Sequence, residues 1–517
     1  MSKQLVKSGA IVSAMTLISR VLGLVRDVVI ANLMGAGAAA DIFFFANKIP
    51  NFLRRLFAEG AFAQAFVPVL AETKAQGSLD DVKQLIARVS GTLGTLVMIA
   101  TIVGVIGSPV LAAIFGTGWF IEWLNDGPEA DKYVTAAFML KITFPYLFFI
   151  ALTALSGSIL NTYGRFAVAA FTPVFLNVAI ISCALWLSPE FDEPAVGLAW
   201  GVFIGGVIQF LFQLPFLKRA GFLLKPKWGW HHPGVVKIRT LMIPALFGVS
   251  VSQLNLLFDT FIASFLKTGS ISWLYYSDRL LEFPLGLFGI AIATVILPSL
   301  SGKAADKDAE SFSHTMDWGV RAVSLLGIPA ALGLMVLAQP ILMLLFMRGA
   351  FGADDVEAAS FSLLAYASGL LFFMFIKVLA PGYFARQDTK TPVKFGIYAM
   401  VANMVFNLIL ASWLGYIGLA AATSLSALLN AGLLYWGLHQ LGVFRLSAET
   451  VGLLLKMLIS GGLMAGAVAW LSPGFGQWLE FGLLKSAAWV AGLIAVAGVV
   501  YVVLLLMLGV RPRHLLR

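Results

Sequence analysis

A chain of 517 residues with 60% hydrophobic and only 12% charged positions lies far from the globular range, where about 25% of residues are charged. Polar surface of that extent cannot cover a soluble core, so lipid must cover it, and the fold class is an all-α integral membrane protein. The net charge of +9 does not point to nucleic acid, because the basic residues fall between apolar runs, and the single cysteine, Cys183, excludes an internal disulfide.

A spanning helix needs roughly 20 apolar residues. Such windows lie near 8–33, 41–71, 83–115, 133–160, 166–187, 195–217, 238–265 and 271–300, then near 316–346, 356–384, 392–413, 415–438, 449–471 and 482–509. They predict about fourteen transmembrane helices. The first window has no small-residue cleavage pattern behind a short apolar core, so it reads as a retained helix rather than a signal peptide. Gly35 and Gly37 follow no strand and precede no P-loop lysine, which makes them a tight turn and not a phosphate loop. Pro50, Pro145, Pro173, Pro244, Pro284 and Pro329 sit inside windows and predict kinks. Gly197, Gly201 and Gly205 form a small-residue ridge that permits close helix packing.

Lysine and arginine orient these helices. The N-terminus and the even-numbered connections carry Lys3, Lys7, Lys74, Lys83, Arg165, Lys218, Arg219, Lys225, Lys227, Lys237 and Arg239, and later Lys303, Lys307, Arg386, Lys390, Lys394, Arg445, Arg511, Arg513 and Arg517. The odd-numbered connections hold only Lys132, Lys267, Arg348 and Lys485. The positive-inside rule therefore predicts that both termini are cytoplasmic. Adjacent His231 and His232 belong to an amphipathic cytoplasmic linker, since no further metal ligands cluster near them.

A weak internal repeat recurs at an offset of 230 residues: Pro68 with its neighbours matches Pro298, and Val174–Asn177 matches Met404–Asn407. Six helices separate the copies, so both have the same orientation, and two six-helix lobes related by an axis along the membrane normal are expected, with two helices added at the C-terminus. Residues 1–220, 236–440 and 441–517 are these three parts, with 221–235 as the linker.

The informative residues are charges well inside the windows. The first holds Arg20, Arg26 and Asp27; the second Lys48, Arg54, Arg55 and Glu59; the eighth Asp278, Arg279 and Glu282. Each would cost at least ~2.5 kcal/mol facing lipid at a helix centre, so they face a hydrated cleft, pair with one another, or both. Pairing of Arg55 with Glu59 and of Arg279 with Glu282 accounts for some. Six cations against four anions leave an excess that attracts an anion, and arginine suits phosphate by bidentate hydrogen bonding.

The runs Ser19-Arg20-Val21-Leu22-Gly23-Leu24-Val25-Arg26-Asp27, Asn51 to Phe62, Trp273 to Leu280 and Gln387 to Lys394 resemble those of the MurJ (MviN) lipid II flippases. The resemblance covers nearly the whole chain. It implies the multidrug/oligosaccharidyl-lipid/polysaccharide exporter fold in a bacterial inner membrane, and export of lipid II for peptidoglycan synthesis rather than enzymatic turnover. It further implies a cavity lined by Arg20, Arg26, Arg54 and Arg279, with Asp27, Asp41, Lys48, Arg55, Glu59 and Asp278 beside them, and a lipid-tail groove at the two C-terminal helices. Lipid II and the bilayer are then the partners, with peptidoglycan synthases as candidates. Asp259 in the seventh window, with Asn403 and Asn407 four apart in the eleventh, offers oxygen ligands suited to a hard cation. In some members sodium binds between those helices, which would couple export to sodium or membrane potential with no other cofactor; the alternative is a merely solvated Asp259. A lipid-linked oligosaccharide exporter or small-solute antiporter of the same superfamily is the competing function.

Overall fold

The computed structural model describes residues 3–58 and 61–516, and the described residues form helices and turns without a strand. Twelve helices among them are long and apolar enough to cross a membrane. The windows near 41–71 and 271–300 are not among the twelve, for two physical reasons. Ala38–Ala58 carries Asp41, Lys48, Arg54 and Arg55 within 21 residues. Ser270–Pro284 carries Asp278, Arg279 and Glu282 within 15 residues, and a π-turn at Leu285–Gly289 follows it before Ile290–Ala305.

The prolines divide into two groups. Pro145 and Pro173 open new helices after breaks at 144–145 and 172, and Pro284 closes one at the π-turn. Pro50, Pro244 and Pro329 lie within continuous helices. The first helix, Lys3–Met34, ends on Gly35, whose φ of +61° and N–H to the Ala31 carbonyl (2.9 Å) make the tight turn that the glycines predict. The glycine ridge also serves as expected. A Cβ on Gly201 would stand 3.0 Å from the Ile180 Cα, and one on Gly205 would stand 3.1 Å from the Leu176 Cα, so Ala195–Arg219 packs backbone-close on Pro173–Ser182.

Packing divides the chain into two units, one ending at Ile271 and one beginning at Ser272. In the first, Phe62, Phe66, Leu70, Leu85, Leu155 and Ile159 form a core closed by Phe222, Val235 and Ile238. The helix Pro233–Ala263 thus belongs to the same unit as the six windows before it, and the packing boundary follows the seventh window. In the second unit Ile296, Met316, Met374, Val378, Tyr383 and Leu438 form the corresponding core. The two proline motifs lie in the helices Ala61–Gln76 and Ile290–Ala305.

The segment between Ala195–Arg219 and Pro233–Ala263 is a fixed strap along the helix Leu79–Ile106. Lys227 N–H donates to the Ala87 carbonyl (3.0 Å), Gly229 N–H to Thr92 Oγ1 (2.9 Å), and Arg88 to the Trp228 carbonyl (2.5 Å). Arg239 donates to the Trp230 carbonyl (3.1 Å) and lies 4.0 Å over its ring. His232 closes the strap as an N-cap, its Nδ1 accepting from Gly234 N–H (3.2 Å), and burial with the nearby Arg88 charge holds its imidazole below the usual pKa. This is a capping role, and no cluster of three His, Cys, Asp or Glu side chains that could hold a metal exists among the described residues.

The approach of the strap depends on Gly91, where an added Cβ would stand 2.1 Å from the Lys227 carbonyl oxygen. Gly91→Ala should therefore displace the strap and lower stability by about 1–3 kcal/mol, read as the thermal unfolding midpoint in detergent. An unchanged midpoint would show that the strap is not held there.

Candidate substrate site

The first unit holds an oriented guanidinium. Arg26 lies in Lys3–Met34 beside the fully buried Asp27, whose Oδ1 accepts from Arg26 Nε (3.2 Å) and Nη2 (3.1 Å). Arg26 Nη1 donates to Asn177 Oδ1 (3.0 Å), and Asn177 Nδ2 returns to the Ser19 carbonyl (3.1 Å). Neither contact is visible in the sequence, where Asn177 stands out only as part of the repeat. The amide ties the guanidinium to the helix Pro173–Ser182, which packs against the first helix. Arg20 is exposed on the same helix, about 9 Å from Arg26 along the axis at 1.5 Å per residue.

The helix Ala38–Ala58 brings a second group of cations, all half-buried: Lys48, Arg54 and Arg55. Arg54 donates to Asn51 Oδ1 (3.2 and 3.0 Å), one turn earlier. Arg55 Nη1 donates to Gln253 Oε1 (3.1 Å) in Pro233–Ala263, a neutral partner that leaves its charge uncompensated in this contact. Glu59, the partner expected from spacing, lies outside the described residues. Asp41, at the start of this helix, is buried, and its Oδ2 accepts from Gly269 N–H (2.7 Å). It thereby holds the connection leading to Ser270–Pro284, where Gly269 has φ +100°.

The second unit carries Asp278 and Arg279, both half-buried, in Ser270–Pro284. Arg279 Nη1 pairs with Glu282 Oε2 at 3.2 Å, as the i,i+3 spacing predicts. This helix is seated on Ala353–Ala367 by Trp273 Nε1 donating to Asp355 Oδ1 (3.0 Å) and by a Ser277–Ser362 hydroxyl contact of 2.9 Å. The cation ligand set is divided: Asp259 is half-buried in the first unit, and Asn403 and Asn407 are buried in Lys390–Leu414 of the second. Asn403 Oδ1 is buried with no hydrogen-bond partner among the described residues, which suits an oxygen meant for a hard cation.

Arg26, Arg54 and Arg55 thus each donate to an amide oxygen inside the helical bundle. Residues 30–488 match the family model described as lipid II flippase MurJ. The chain belongs to the MurJ lipid II flippase family. It is 66% identical over 514 residues to a probable lipid II flippase MurJ of Vibrio cholerae serotype O1, covering 99% of this chain and 98% of that one. A probable MurJ of Haemophilus influenzae is 59% identical over 508 residues, covering 97% and 99%. A solved lipid II flippase MurJ in an inward closed conformation superposes with a TM-score of 0.80 at 27% identity, over 98% of this chain and 99% of that chain. An inward-facing multidrug resistance MATE transporter of the MOP superfamily shares the fold, with a TM-score of 0.68 at 12% identity over 84% of this chain and 98% of that chain. MurJ proteins are flippases and not enzymes, and this chain is a multi-pass protein of the bacterial inner membrane.

Proposed function

We propose that this chain carries lipid II, the undecaprenyl-pyrophosphate-linked disaccharide-pentapeptide, from the cytoplasmic to the periplasmic leaflet for peptidoglycan synthesis. The observation that carries the reading is the Arg26 guanidinium, held in a spanning helix by Asp27 and Asn177. A pyrophosphate cannot cross hydrocarbon unaided, whereas its polyprenyl tail need never leave it. The guanidinium groups of Arg20, Arg26, Arg54 and Arg279 bind the pyrophosphate, with Lys48 and Arg55 adding positive charge and Asp27, Asp41, Glu59 and Asp278 setting orientation. Alternating access then exposes the bound head to one side of the membrane at a time, driven by contacts that differ between the two states.

The tail has its own place. An apolar cavity of about 440 Å³ lies between Ala448–Leu471 and Leu483–Met507, lined by Leu471, Ala488, Trp489, Gly492, Leu493 and Val496. It supports a tail groove at the C-terminal helices. The excess of arginine disfavours a small-solute antiporter, which would need acidic and aromatic groups for a cationic substrate. Peptidoglycan synthases are the expected protein partners, because they consume the exported lipid.

Both termini face the cytoplasm in this reading. Cysteines placed at Lys225 and Lys303 should label only from the cytoplasmic side, and one at Glu129 only from outside; labelling of Glu129 from the cytoplasm would reverse the orientation. For the head, Arg26→Ala and Arg279→Ala should each reduce translocation into the outer leaflet of proteoliposomes by about 100-fold or more, the loss of a charge-assisted bidentate contact. Arg279→Lys should recover part of it. Normal translocation by the alanine variants at matched abundance would make these arginines structural. For the driving force, Asp259, Asn403 and Asn407 bind sodium, and Asp259→Asn should remove the dependence of transport on the sodium gradient. An unchanged dependence rules the site out.

A further inference from the structure

A buried ion pair in the second unit takes no part in the site above. Asp317 and Arg321 stand one turn apart on the helix Ala309–Val336, 4% and 3% exposed, with Nη2 to Oδ2 at 3.0 Å. Their remaining bonds all run to the C-terminal part of the chain. Asp317 Oδ2 accepts from Ser447 Oγ (2.9 Å) and Thr450 Oγ1 (2.6 Å), and Oδ1 accepts from Ser447 N–H (3.3 Å). Arg321 Nε donates to Thr450 Oγ1 (2.5 Å), and Nη1 donates to the His514 carbonyl (3.0 Å). Ser447 is the N-cap of Ala448–Leu471, accepting from Thr450 N–H at 3.1 Å, and His514 lies in the short helix Pro512–Leu516 that follows Leu483–Met507. The entry to the last helix pair and the exit from it are therefore gathered on one ion pair.

Two further contacts continue the same seam. A Cβ on Gly461 would stand 2.9 Å from the Ile328 and Leu332 side chains, and Tyr501 Oη donates to the Leu325 carbonyl (3.0 Å). In hydrocarbon, apolar helix faces gain nothing from the hydrophobic effect by meeting each other, so position along the seam must come from close packing and polar contacts. A satisfied buried polar network fixes one arrangement where apolar contact alone would allow several.

We propose that Asp317 and Arg321 are positioning residues that set the register of the two C-terminal helices on Ala309–Val336, and through it the shape of the apolar cavity at Leu471, Trp489 and Val496. The assignment of that cavity to a polyprenyl tail rests on the flippase reading above. The register is set at the end of the helices where the polar contacts lie, and the cavity at their other end responds to it.

The test uses the full chain in lipid vesicles, with the neutral double variant Asp317→Asn, Arg321→Gln and the milder Thr450→Val, which keeps the ion pair and removes one of its two hydroxyl bridges, Ser447 Oγ keeping the other. Two quantities are measured: amide hydrogen exchange of Ser447–Leu454, and the ratio of apparent affinities for an undecaprenyl-linked and a farnesyl-linked substrate carrying the same headgroup. Both variants should exchange faster and lose long-chain preference, by about tenfold in the double variant, the equivalent of contact with two methylenes, while farnesyl-substrate affinity stays unchanged. Faster exchange with the long-chain preference intact would overturn the positioning role. A wild-type chain that translocates no lipid II, or has no chain-length preference, would instead overturn the flippase or tail reading; exchange then decides the register, and unchanged exchange refutes it. If the double variant does not insert, Thr450→Val carries both measurements.

Discussion

The cost of placing charge in hydrocarbon governs this molecule more than any other interaction. A backbone can satisfy itself as a helix, but a guanidinium or carboxylate in the span must find a partner or water. The chain meets that demand in two ways. Asp317 and Arg321 are enclosed and bonded on nearly every side, which makes them part of the framework. Arg26, Arg54, Arg55 and Arg279 keep part of their surface accessible and are bonded in part by neutral amides or by a neighbouring carboxylate. The first arrangement is closed to solvent, and the second is open to it in part. One fold thus holds two kinds of intramembrane charge, an enclosed pair at Asp317 and Arg321 and half-buried cations at Arg26, Arg54, Arg55 and Arg279.

The apolar framework was legible because hydrophobicity over about 20 residues is a strong signal that does not depend on partners. The turn at Gly35, the ridge at Gly197, Gly201 and Gly205, and the i,i+3 pair Arg279–Glu282 were legible for a related reason, since each is local in the chain. Asn177 as the partner of Arg26 was not, because 151 residues separate them and an amide inside an apolar helix has several ordinary explanations. Gln253 as a partner of Arg55 is the same case, 198 residues away. Asp317 and Arg321 did leave a trace, two opposite charges four apart at the edge of an apolar window, but the residues that give the pair its meaning lie beyond position 446.

The strap from Phe222 to His232 marks a different limit. By composition it reads as an amphipathic linker, with lysines, tryptophans and a histidine pair. What holds it is its own main chain, bonded to the Ala87 carbonyl, the Thr92 hydroxyl and the Arg88 guanidinium of Leu79–Ile106, with a glycine at 91 that permits the approach. Packing consequently joins the helix after the strap to the helices before it, so that a division by repeat and a division by contact fall at different places in the chain.

The π-turn at Leu285–Gly289 carries a consequence for how the eighth segment is understood. One inserted residue rotates everything after it by about 100° relative to an unbroken α-helix. A wheel drawn from Ser270 to Ala305 therefore misassigns the sides of one half or the other: residues that share a stripe with Arg279 before Pro284 do not share it with Ile296 or Leu300 after Gly289. The charged half and the apolar half keep separate angular phases, and a substitution chosen by periodicity in one carries no information about which neighbours it would meet in the other.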